Sequence, residues 1–321
     1  MQNRGDYNAD RFEWFHLFGK LGVTALGHPF EYVKVLIQIG HEPFPPKPTR
    51  TLLGKPALGL TGAFAYMKHI KSIDGVFGLY RGLFPKLCTN FVSMSTYIIA
   101  YEKVPSLDSN KQLQQISESE LTDEQKLALF AHELMKSTVA RTASIIVSHP
   151  FYIITLRSMA QFVGRETKYS GIFGSLREIF NEDGILGFFS GLVPRLIGEI
   201  LSMLLAASAS VLINTYLVDE ESAKTYVKAL MGYLAGALFY PFTVVSHVVI
   251  VNNCGLKAGM PGNMPIYSNW SDCWSHLSAI GQLKRGSSIL WRYHTGPFMT
   301  SAYSGSSGRR VHAQAFPYSV K

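Results

Sequence analysis

A chain of 321 residues can hold one large domain or two ordinary ones, and this one is 47% hydrophobic but only 16% charged, where soluble domains carry roughly 25%. Its formal net charge of +8 would suit a nucleic-acid binder, but the basic residues are scattered and no Lys/Arg run interleaves with aromatics, which excludes that class; a membrane protein with basic loops fits better. Cys88, Cys254 and Cys273 form no CxxC and no His/Cys cluster, so no disulfide frame, metal site or cofactor is expected.

At the N-terminus Asp6, Asp10 and Glu13 stand close together, unlike a secretory signal or an Arg-rich presequence. Five apolar spans follow, at 14–38, 87–101, 132–162, 200–218 and 229–251. The last two contain no Asp, Glu, Lys or Arg, and each is long enough to cross about 30 Å of hydrocarbon as a helix. The first three are interrupted by polar residues, and the interruptions are ordered. Lys20, Thr24, Gly27, Glu31, Lys34 and Gln38 recur at helical steps of three and four, as do Lys86, Asn90, Ser93, Tyr97 and Tyr101. Ser137, Arg141, Ser144 and Ser148 do the same. So do Arg195, Glu199, Ser202, Ala206, Ser210 and Asn214 in the fourth span, and Gly232, Gly236, Tyr240, Thr243 and His247 in the fifth. Such steps place residues on one helical face, so five stripes turned inward would line a polar groove. The glycines and serines suit packing seams. Arg141 and Glu199 suit the groove, since a central charge facing lipid costs roughly 2.5–3.5 kcal/mol; Glu199 could instead pair with Arg195 one turn away.

The chain repeats itself. His28-Pro29-Phe30, His149-Pro150-Phe151 and Tyr240-Pro241-Phe242 sit late in the first, third and fifth spans. Each proline removes a backbone donor and is expected to kink its helix. The block 74–87, beginning Asp74-Gly75, parallels 183–196, beginning Asp183-Gly184, and Tyr267-Ser268 with Leu290-Trp291-Arg292 mark a degraded third copy. One membrane domain over 1–321 is therefore expected, with repeats at 12–110, 131–222 and 223–292 and a polar tail at 293–321. His28 and His149, each beside a kink proline, suit capping or packing rather than proton transfer.

These motifs resemble the mitochondrial carrier signature, in which Pro-x-[Asp/Glu]-x-x-[Lys/Arg] ends each odd helix. Pro29-Phe30-Glu31-Tyr32-Val33-Lys34 fits it, while Pro150-Phe151-Tyr152-Ile153-Ile154-Thr155 and Pro241-Phe242-Thr243-Val244-Val245-Ser246 have lost both charges. Tyr101-Glu102 resembles half of the opposite gate, with Pro105 where its basic partner would stand. No apolar run of spanning length follows Arg292. With 154–159, 184–196 and 251–256, these departures resemble the divergent carrier homologs of that family, over nearly the whole chain. The expected fold is an all-α membrane protein, a carrier-like three-fold repeat bundle with five transmembrane helices and the sixth missing.

The resemblance implies a multi-pass mitochondrial outer-membrane protein that inserts tail-anchored and other α-helical clients. It also implies lipid scrambling and a pro-apoptotic Bcl-2-family ligand as partner. A groove missing one wall agrees with that implication, because a polar tail could slide along it while its apolar part stays in lipid. Lys34, Arg141, Arg157 and Glu199 are the expected groove residues, and Pro29, Pro150 and Pro241 the expected kinks. The alternatives are a solute transporter of the carrier type and a receptor or scaffold with a vestigial groove. The sequence carries no Ser/His/Asp arrangement, nucleotide loop or metal-ligand spacing, so an enzyme is not expected.

Overall fold

The computed structural model describes residues 3–51, 54–105, 122–218 and 220–294. Its elements, in chain order, are α1 (Asn3–Gln38), β1 (Lys47–Arg50), β2 (Pro56–Gly59), α2 (Ala63–Gly78), α3 (Leu83–Lys103), α4 (Asp123–Ala160), α5 (Ile172–Asp183), α6 (Leu192–Tyr216), α7 (Glu221–Leu238), α8 (Tyr240–Val251) and α9 (Trp270–Ala279). A long helix, a short helix and a second long helix make each of the first two repeats: α1–α2–α3, then α4–α5–α6. In the third, α7 and α8 form the long unit and α9 the short one. Among the described residues no further long helix follows. The expected tail beyond residue 294 lies outside them.

The first four expected spans thus fall on long helices of a carrier-like bundle, and the fifth falls on the bent pair α7–α8. By length and apolarity two helical stretches could cross a membrane alone, Glu124–Ala160 and Ile185–Tyr216, and a third if the bent α7–α8 pair is one span. The helices α1 and α3 hold most of the charged stripe residues, which lowers their hydropathy. The prolines behave unequally. α1 and α4 run without interruption through Pro29 and Pro150. Beside Pro241 the helix breaks at Phe239 and bends by 53°. A two-stranded antiparallel hairpin, β1 with β2, is an addition to the all-α expectation.

The packed core lies at one end, called the base below. Tyr32, Leu36 and Ile37 of α1 meet Tyr66 and Ile70 of α2, Ile153, Leu156 and Met159 of α4, and Val244, Val248 and Val251 of α8. Away from the base the helices bury fewer side chains. Val23 and Leu26 of α1 and Tyr233, Leu234 and Leu238 of α7 are exposed, which suits lipid-facing surface.

Each repeat seats its glycine turn against the next repeat. Gly82 and Gly191, which open α3 and α6, take left-handed φ of 82° and 69°, a region open to glycine at little cost. A Cβ on Gly82 would stand 3.0 Å from the Thr155 carbonyl, and one on Gly191 2.6 Å from that of Ser246. The Ser246 hydroxyl donates to the Gly191 carbonyl at 2.8 Å. Thr155 and Ser246 hold the positions where the signature has Lys or Arg, and their small side chains accompany this close approach.

The base also contains Arg157, 1% exposed. Its Nε donates to the Ile250 carbonyl at 3.0 Å, and Nη1 to the Tyr169 hydroxyl at 3.2 Å. Nη2 pairs with Asp183 at 2.8 Å. One side chain thereby ties α4 to α5 and α8. This corrects its expected place in the groove. Arg157 stands seven residues after Pro150, whereas Lys34 stands five after Pro29, and two residues turn a side chain about 200° around a helix. Asp183 keeps 29% of its side chain exposed, so removing Arg157 costs mainly the buried acceptors it leaves unmet, roughly 1–3 kcal/mol each. Arg157→Ala should therefore lower the unfolding temperature in detergent clearly, and exposed Arg177→Ala should leave it nearly unchanged. Equal melting of the two variants would remove Arg157 from this role.

Candidate functional site: a polar groove with a closed base

Above the core, the stripes of α1, α3, α4 and α6 carry a line of charged and aromatic side chains. Glu31 of α1 pairs with Lys86 of α3 at 2.5 Å, rather than with Lys34 on its own helix. Asn90 donates to Thr24 at 3.4 Å, again joining α3 to α1. Arg141 of α4 pairs with Glu199 of α6 at 2.5 Å, and both side chains are more than a third exposed. The structure thus brings two of the four expected groove residues into contact, and Arg195 is not the partner of Glu199. Instead Arg195 lies 3.7 Å over the Tyr152 ring and donates to His149 Nδ1 at 3.0 Å. Lys34 sits 5.1 Å over the Tyr240 ring, a cation–π contact, while its neighbour Glu31 pairs with Lys86.

Four basic side chains, Lys34, Lys86, Arg141 and Arg195, therefore meet two carboxylates, Glu31 and Glu199, along these stripes. The line is net positive. Away from the base, Tyr101 donates to Glu133 of α4 and Lys136 lies 4.0 Å over the Tyr101 ring. Tyr101 therefore works within an α3–α4 contact, not with Glu102.

The small stripe residues divide. Ser144 and Ser148 are buried and satisfied within α4, by the Arg141 and Ser144 carbonyls at 2.8 and 2.7 Å. Ser202 donates to the Ala235 carbonyl of α7 at 3.4 Å. These serve packing. At Gly232 and Gly236, in contrast, an added Cβ would meet nothing within 4 Å, so that face of α7 is open.

Below the cations the floor is closed by uncharged groups. Tyr152 of α4 donates to Nε2 of His247 on α8. Nδ1 of that ring donates to the Gln38 side-chain carbonyl of α1 at 2.8 Å. Gln38 Nε2 donates to the Tyr240 hydroxyl at 2.8 Å, and that hydroxyl donates to the Arg285 carbonyl at 2.9 Å. Each donor meets one acceptor in sequence, which sets the His247 tautomer and the Gln38 amide orientation. Arg285 returns two bonds to the Gln38 carbonyl, at 2.9 and 2.6 Å. Its positive charge thus caps the C-terminus of α1; burial holds its pKa down at about 10, so it stays charged at neutral pH. Gly40, at φ 93°, leaves room for it, since a Cβ there would lie 2.8 Å from Nη1.

A second closure lies beside this relay. The Ala63 amide donates to the Ile289 carbonyl at 2.7 Å, the Leu60 amide to the Arg292 carbonyl at 2.9 Å, and the His294 amide to the Leu58 carbonyl at 2.8 Å. Arg292 is buried, pairs with Glu42 and donates to the Thr61 carbonyl at 2.9 Å. Residues 289–294 thereby clasp the third repeat to the first.

The proline-flanking histidines do as expected of packing groups. His28 Nε2 donates to the Arg81 carbonyl at 3.0 Å and His149 Nε2 to the Ser190 carbonyl at 2.9 Å, matching places in two repeats. Reading the residues alone underrated Tyr152, His247 and Gln38. Their signal was present: Gln38 and His247 end two polar stripes, and Tyr152 replaces a signature carboxylate.

A family model described as mitochondrial carrier protein matches residues 17–111 and 128–220, each stretch containing a proline-bearing long helix, a short helix and a second long helix. The chain is 42% identical to human mitochondrial carrier homolog 2 over 285 residues, covering 84% of this chain and 91% of that protein. It is 40% identical to mouse mitochondrial carrier homolog 1 over 293 residues, covering 84% and 74%. Bovine solute carrier family 25 member 16 is 25% identical over 203 residues, covering 57% of each. A helical bundle of this design, matched over most of its length by such relatives, identifies the chain as a transporter-like membrane protein that belongs to the mitochondrial carrier family.

Proposed function

We propose that this protein is an insertase of the mitochondrial outer membrane, passing polar tails of tail-anchored and other α-helical clients along its groove. The observation that carries the reading is the combination of a floor closed by uncharged hydrogen bonds with a positively charged lining and an open α7 face. A polar segment in bare hydrocarbon leaves its backbone and side-chain groups unsatisfied, at several kcal/mol each. A charged groove open to lipid offers those groups partners while the client's apolar helix remains in the bilayer. Lipid headgroups would find the same path.

The solute-carrier reading is weaker for a physical reason. Alternating access needs a floor that opens and recloses, and the carrier signature supplies charge pairs there. Here Tyr152, Gln38 and His247 are held in a buried relay, and parting them would strand donors and acceptors at about 1–3 kcal/mol each.

Charge sets the first test. A unit charge about 10 Å from a client charge interacts with it by about 1.7 kcal/mol at an effective dielectric of 20, so reversing it shifts their interaction by about 3 kcal/mol before salt screening reduces it. For a client whose translocated tail carries Lys or Arg, Glu199→Lys should reduce insertion several-fold and Lys34→Glu should increase it. Insertion is scored in mitochondria at matched protein levels, which separates the effect from loss of folding through the Arg141 pair. Changes in the same direction for both variants would end the electrostatic account.

Location is tested separately. Protease added to intact mitochondria should clip loops of this protein while inner-membrane markers survive. Protection until the outer membrane is ruptured would place the protein with the inner-membrane carriers.

A further inference from the structure

The short helices α2 and α5, the latter with the 3-10 turn Ile185–Phe189 after it, expose large apolar side chains at matching positions. The offset that aligns Asp74 with Asp183 also aligns Phe64 with Phe173, Val76 with Ile185 and Phe77 with Leu186. Phe64 and Phe173 are 66% and 87% exposed, and Phe77 and Leu186 are 91% and 81% exposed. Their burial partners lie on the other face, where Tyr66 and Ile70 of α2 and Ile179 of α5 enter the core. The exposed faces also carry Lys68, Lys71 and Arg177. Apolar side chains held in water cost roughly 25 cal/mol per Å², and a clustered exposed patch marks an interaction surface.

Continuity says what covers this one. Phe30, on the outer side of α1, touches Phe64 edge-on at 5.8 Å between ring centroids, so the patch on α2 extends the lipid-facing surface of the bundle. Lys68, Lys71 and Arg177 can lay their stems on the apolar surface and keep their charges at the headgroups.

The third repeat lacks the device. On α9 the buried face holds Cys273 and Leu277 and the partly buried Trp270 and Trp274 pack against the core, while the exposed positions are Ser271, Asp272, Ser275, Ser278 and Ala279. The aromatic that closes the following turn is exposed in all three copies, as Tyr80, Phe189 and Trp291, so the difference lies in the short helix and the residues just after it. We infer that α2 and α5, the latter with the 3-10 turn Ile185–Phe189 that follows it, are seated in the membrane interface through Phe64, Phe77, Phe173 and Leu186, whereas α9 stands in water. The bilayer then grips two of the three sectors, and the sector without that grip belongs to the same repeat as the open α7 face.

The test uses the full chain in phosphatidylcholine vesicles, in a Cys88→Ser background whose remaining cysteines are buried. An environment-sensitive fluorophore is attached at Phe77→Cys, Leu186→Cys or Ser275→Cys. Spin-labelled lipid, with the nitroxide near the top of the acyl chain, should quench the first two several-fold more than the third. Aqueous iodide should show the reverse order. Lipid quenching at all three sites would overturn the asymmetry, and iodide quenching at 77 and 186 would overturn the seating. The unlabelled-position background sets the blank, and labelled proteins are compared only where they run as the same monodisperse species before reconstitution.

Discussion

The relay from Tyr152 through His247, Gln38 and Tyr240 to the Arg285 carbonyl is the contact on which the rest of the molecule depends. It joins the base ends of the three proline-bearing helices, which the signature of the family would join with charges. A neutral hydrogen bond contributes only about 0.5–1.5 kcal/mol net, so the relay is not a large source of stability by itself. Its force lies in exclusion. Because each donor has one acceptor, any displacement of α1, α4 or α8 leaves several buried groups unpaired at once. The apolar core of Leu36, Ile153 and Val248 packs in the same region, and the clasp of 289–294 onto 58–63 closes the ring where the third repeat meets the first.

From that closure the character of the groove follows. With the floor held by uncharged groups, the basic residues above it have fewer acidic partners than a ring of ion pairs would provide. Lys34 and Arg195 rest on tyrosine rings, and their charge is available to something that enters. Arg141 and Glu199, half-exposed, form a bridge between α4 and α6 that water or a polar chain can reach. On α7, Gly232 and Gly236 leave the helix surface low and unoccupied.

Much of this was legible in the residues. The 3–4 steps of the polar stripes place Arg141 and Glu199 on facing helices, and the repeated Asp-Gly and proline motifs mark the three-fold unit. Three things were not legible, each for a physical reason. Arg157 reads like Lys34 by its nearness to a proline, but helical phase turns it into the base. The losses at Tyr152 and Ser246 read as a missing gate, because a pattern of charges says nothing about which neutral groups lie opposite in space. The hairpin of Lys47–Arg50 and Pro56–Gly59 has no apolar alternation, since its exposed β1 buries little and β2 is held by a segment more than two hundred residues away, through contacts such as His294 with Leu58.

The closed floor and the open side make one joint demand that can be measured in a single preparation. Purified protein is placed in vesicles loaded with a small anionic solute and offered a tail-anchored client. A sealed base with lateral entry predicts client insertion while the entrapped solute is retained. Release or exchange of the solute without client insertion would contradict it.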